Sequence, residues 1–188
     1  MSIALIKRED KTRIDELSAA IAARRLRGVT YFVPPGLEWV EEDSSAGPIH
    51  VADMGVSLIF DDVTLNVAWS MNGFNEGLAV VATDTVDPLF FGRSAVAVDA
   101  SGIHPWPSRL GHGVEGISWA WHQPCDDCPD LLWSVRLDFG APGSAIIALG
   151  EVEQGTPRYM PDSLLVLFDE TVARSYLIPA GEGSSWGA

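Results

Sequence analysis

From Val56 onward this chain alternates apolar and polar residues with a period of two, and that pattern constrains its fold more than any other feature. Successive side chains of an extended strand point to opposite faces, so a period of two describes a strand with one face buried. Val56, Leu58 and Phe60 alternate with Ser57 and Ile59, then Asp61-Asp62 interrupts the run. Val63, Leu65, Val67, Trp69 and Met71 alternate with Thr64, Asn66, Ala68 and Ser70. The spacing predicts two strands joined by a tight Asp-Asp turn, with a third strand over Leu78–Thr83 beyond the Asn/Gly-rich turn MNGFNEG. Short connections join antiparallel neighbours, so a meander is the economical arrangement.

The alternation returns later. Ile117, Trp119 and Trp121 share one face, and Leu131, Trp133, Val135, Leu137 and Phe139 share another. Strands are also expected over Val29–Val33, Val96–Val98, Ser144–Leu149 and Leu164–Phe168. Residues 84–113 are hard to assign, and SGIHPWPSRLGHG (101–113), rich in Pro and Gly, reads as a loop.

Helices are few. Ile14, Leu17 and Ile21 make an apolar stripe at helical spacing, which predicts a helix over Thr12–Arg27 with Thr12 as cap and Asp15 as the capping-box acid. Arg24, Arg25 and Arg27 would complement the dipole in its last turn, and Gly28 would end it. A short helix capped by Asp169 is expected to run to Tyr176. The fold class is therefore α+β: a mostly antiparallel, meander-like sheet with an N-terminal helix and a short C-terminal helix. The 188 residues fit a single domain, with 180–188 read as a tail.

Charge narrows the functions. The formal net charge is −14, unevenly spread. Residues 1–27 carry seven basic and four acidic residues, a balance of +3. Residues 28–188 carry five Arg, no Lys and 22 acidic residues, a balance of −17. Such a surface repels phosphate backbones and anionic membranes, so nucleic-acid and membrane binding are disfavoured, and a basic protein partner is favoured. No apolar run approaches the roughly 20 residues of a membrane span, and no secretory leader is evident, so a cytoplasmic protein is expected. The acidic positions proposed to meet the partner are Glu38, Glu41, Glu42 and Asp43 around Trp39, Asp61-Asp62, and Asp126-Asp127.

WHQPCDDCPD (121–130) holds both cysteines. Lying between two strands, its first task is to turn the chain. Cys125 and Cys128 with His122 could also supply three ligands to zinc, the one cofactor this pattern suggests; a fourth would come from elsewhere. A redox role fits poorly, because Asp126, Asp127 and Asp130 oppose thiolate formation. A third reading is a small-molecule enzyme built on the loop of His104, Arg109 and His112. Glu151 and Glu153 would share a face if their strand continues. Phosphate-binding loops, dinucleotide fingerprints, nucleophile elbows and His-Glu-x-x-His are all missing. The leading expectation is a non-enzymatic acidic interaction protein. A bacterial immunity protein, which neutralises a toxin that is often cationic, is its analogue in size and charge, though not in motif.

Overall fold

A computed structural model describes residues 5–37, 49–86, 88–92 and 94–176. Helix α1 (Lys11–Ile21) leads into β1 (Leu26–Val33), followed by β2 (Ile49–Val51), β3 (Gly55–Phe60), β4 (Thr64–Asn72) and β5 (Asn75–Thr83). Then come β6 (Val96–Asp99), β7 (Gly116–His122), β8 (Leu131–Asp138), β9 (Ser144–Leu149), β10 (Glu151–Glu153), β11 (Thr156–Arg158), β12 (Leu164–Leu167) and α2 (Glu170–Ser175). The order β5-β4-β3-β1-β6 makes one antiparallel five-stranded sheet, and β2-β12-β9-β8-β7 makes another. Strands β10 and β11 form a separate antiparallel hairpin. The fold is α+β and mostly antiparallel, as the alternation predicts.

One hydrophobic cluster runs through both sheets. It takes Val29 and Tyr31 from β1, Val56 and Leu58 from β3, Leu65 and Val67 from β4, and Leu78 and Val80 from β5. From the second sheet it takes Trp133, Val135 and Leu137 of β8, Ile147 of β9 and Val166 of β12. In the first sheet these are the apolar members of the period-two pattern, so the predicted faces are the observed ones.

The other face of the first sheet is also covered. Phe91, from a 3-10 turn over Pro88–Phe91, stacks on Phe32 with ring centroids 3.7 Å apart and planes 9° apart. Gly55 makes room for it: a Cβ there would lie 2.1 Å from the Phe91 ring. On the same face Ser57 Oγ donates to Asn66 Oδ1 (2.5 Å) and Asn66 Nδ2 donates to Thr83 Oγ1 (2.8 Å), so this buried polar row satisfies itself.

Two expectations about the N-terminal helix are corrected. It ends at Ile21, not Arg27, because Ala22 is extended (ψ 131°) and Ala23 has φ +60°. Arg25 then bridges Gly113, and β1 begins at Leu26 opposite Phe60. Burial of Leu26, Val29, Tyr31 and Val33 in a sheet outweighs the helical preference of the Ala/Arg run. Gly28 lies inside β1, and the arginines compensate no helix dipole. The residue at the N-cap position is Asp10, not Thr12, and its carboxylate accepts from the Lys7 backbone N–H (3.0 Å) instead of capping the helix.

Residues 101–113 are irregular, as expected, but they do not form an open loop. A 3-10 turn (Trp106–Ser108) drives Trp106 into the core at 0 % exposure.

Candidate functional site

The structure places the predicted site residues that lie among the described ones. The hairpin tip between β7 and β8 is closed by its own contacts. Gln123 Nε2 donates to the carbonyls of Asp126 (3.1 Å) and Cys128 (2.9 Å), and the Cys128 N–H donates to the Cys125 carbonyl (3.0 Å). Cys125 and Cys128 are joined in a disulfide. Asp126 and Asp127 are left exposed at the tip, and neither takes part in an ion pair among the described residues.

His122 is buried at the end of β7 and donates from Nε2 to the Glu76 backbone carbonyl (2.8 Å). That bond makes Nε2 the protonated nitrogen, so Nδ1 is a bare acceptor, buried and without a hydrogen-bond partner among the described residues. Burial holds its pKa below the ordinary imidazole value. Zinc would need two thiolates and an imidazole converging on one point. Here the sulfurs are bonded to each other and the imidazole is tied to β5. Among the described residues no group of three or more His, Cys, Asp or Glu is placed to share a cation. Zinc at this hairpin would require a reduced pair.

The Asp61-Asp62 turn is where predicted, between β3 and β4, but its charge is balanced from within. Arg27 Nε donates to Asp61 Oδ1 (2.6 Å), and the Arg25 N–H donates to Oδ2 (3.2 Å). Arg24 grips Asp62 with Nε on Oδ1 (2.5 Å) and a second nitrogen on Oδ2 (3.3 Å). The Arg25 N–H and the Arg27 guanidinium hold the Asp61 carboxyl below its usual range. The Arg24 and Arg27 side chains are thus spent on this acidic turn. Glu153 is likewise paired, with Arg158 across the β10–β11 hairpin. Glu38, Trp39, Glu41, Glu42 and Asp43 lie outside the described residues.

Of His104, Arg109 and His112, Arg109 alone is buried. Arg109 is 3 % exposed. It donates twice to the Ser144 carbonyl (3.2 and 2.9 Å), and to the Pro105 carbonyl (3.0 Å) and Ser108 Oγ (3.3 Å), while lying 4.8 Å from the Phe168 ring centroid. Its guanidinium pins the loop to β9. The His104 and His112 side chains are exposed.

Sequence reasoning missed a buried polar network beside that loop. Trp106 Nε1 donates to Tyr31 Oη (2.6 Å), and Tyr31 lies 2.8 Å from His50 Nδ1. His50 Nε2 lies 2.9 Å from the His104 carbonyl oxygen. A carbonyl only accepts, so Nε2 carries the proton; Nδ1 must then accept, and the Tyr31 hydroxyl donates to it. The bond from Tyr31 (β1) to His50 (β2) joins the two sheets. Burial, above all, lowers the His50 pKa to about 4. No local pattern marks these residues, because their partners come from distant segments.

No helix among the described residues is long and apolar enough to cross a membrane. Compared with known proteins, the chain matches no family model, no curated protein and no solved structure.

Proposed function

We propose that this chain is a non-enzymatic binding protein for a basic protein partner. The observation that carries the reading is the imbalance of 22 acidic residues against five Arg over residues 28–188. Within it, Asp126 and Asp127 are exposed and unpaired among the described residues, whereas Asp61 and Asp62 are already neutralised. A surface of one sign raises the local concentration of an oppositely charged protein and speeds encounter at low ionic strength. Toxin neutralisation by a bacterial immunity protein is the specific form of this reading that chain size and charge suggest.

The test is capture on the immobilised chain at low salt, followed by elution with a salt gradient. Partners are expected to be basic, to elute as salt rises, and to bind less to the Asp126→Lys/Asp127→Lys variant. Identical retention by both proteins at every salt concentration would sink the reading.

A further inference from the structure

The β4–β5 turn and the cystine hairpin form one continuous surface. The Cys128 sulfur lies 3.8 Å from the Phe74 carbonyl oxygen; it is in a disulfide and has no proton to donate, so this is a packing contact. His122 Nε2 reaches the Glu76 carbonyl at 2.8 Å. At Gly77 a Cβ would lie 3.0 Å from the Leu132 carbonyl oxygen and 3.2 Å from Leu131. Three positions of β5 and its turn, Phe74, Glu76 and Gly77, are therefore seated on the hairpin. On this surface Phe74 is 84 % exposed and Met71 is 46 % exposed. A side chain this open buries little area in its own fold, and its turn is packed against Cys128, next in the chain to the exposed Asp126-Asp127 pair.

We infer that the Met71–Asn75 turn and the Gln123–Pro129 tip are the docking face for an arginine-bearing segment of a protein partner. The inference rests on the binding function proposed above and gives it a location. The chemistry favours arginine in particular. A planar guanidinium stacks on an aromatic face while its N–H groups pair with a neighbouring carboxylate. Lysine offers only a point charge. A second copy of this chain is disfavoured, because a twofold contact through this face would bring both acidic tips together.

The experiment uses the full chain and two fluorescent peptides, one rich in arginine and one matched with lysine, titrated at low salt with backbone amide shifts recorded. The arginine peptide is expected to bind more tightly and to shift residues 71–76 and 123–130. Phe74→Ala should weaken it about tenfold, and Asp126→Asn/Asp127→Asn should weaken it and flatten its salt dependence. The Phe74 ring is exposed, so the thermal midpoint of Phe74→Ala should match the parent and so exclude misfolding. Shifts elsewhere with Phe74→Ala unaffected would overturn this face and leave the binding function standing. Capture of basic proteins without binding of either peptide would overturn the arginine segment alone. A dimer lost on Phe74→Ala would overturn the assignment in favour of a second copy. No peptide binding and no salt-dependent capture would remove both proposals.

Discussion

At the scale of single residues, the network around His50 has the clearest consequence. Burial, the His104 side chain and the Arg109 charge all oppose a second proton on the ring, and they outweigh the His104 carbonyl, whose bond to Nε2 favours it. An unfolded His titrates near 6.5, and folding lowers this one to about 4. Between those values the unfolded chain binds more protons than the folded one, so stability is full above about pH 6.5 and falls as pH drops towards 4. The slope from one such group is at most about 1.4 kcal/mol per pH unit. His122, also lowered by burial, adds in the same direction. Asp53, raised by burial and by Asp162, opposes it. Chemical denaturation at pH 7, 6, 5 and 4 should show a smaller acid loss in His50→Gln than in the parent. Equal losses would mean that His50 protonates without disturbing the fold. Little of this was legible beforehand: Trp133 was expected in the core and is there, whereas Trp106 and His50 carried no signal. Their burial comes from segments far away in the chain.

At the scale of elements, local chemistry was readable where the element depends on itself. Asp169 was expected to cap α2. Its extended backbone (φ −104°, ψ 120°) places the carboxylate to accept from the N–H groups of Thr171 (2.7 Å) and Val172 (3.0 Å). Asp169→Ala should cost about 1 kcal/mol in denaturant unfolding, and Asp169→Asn much less. Asp10→Ala, at a helix start whose side chain caps nothing, serves as the comparison. A cost at Asp169 no larger than at Asp10 would show that α2 is held only by its tertiary contacts, such as Arg136 to Glu170 (2.7 Å) and Ser144 to Glu170 (3.1 Å). The strands were legible for the same local reason, since alternation directly reports a half-buried strand. The short β2, β10 and β11 were not, because three residues are too few to display a period. The end of α1 was misjudged because pairing with β3 and β6, not helix propensity, decides where the chain turns extended.

At the scale of the whole molecule, a net charge of −14 makes the folded chain repel itself. Its ion pairs are mostly exposed and individually weak, so screening should remove more repulsion than attraction. Raising NaCl from low to moderate concentration should therefore raise the thermal midpoint, with ~1 kcal/mol appearing as about 2–4 °C. A falling midpoint would mean that pairs such as Arg24–Asp62 and Arg27–Asp61 outweigh the net charge. The sequence by itself determined the strands that alternate, the face each presents, the Asp169 cap and the acidic excess. These depend on neighbours along the chain or on composition. Tertiary structure alone decided that β1 lies between β3 and β6, and that β2 joins β12 at the edge of the second sheet. It also decided that Arg24 and Arg27 neutralise the Asp61-Asp62 turn, that Arg109 becomes a buried fastener, and that His122 bonds to the backbone of β5. Alternation states which side of a strand a group occupies. What stands opposite is set by contacts between distant segments, and that contact decides whether a charged or polar group is free to act.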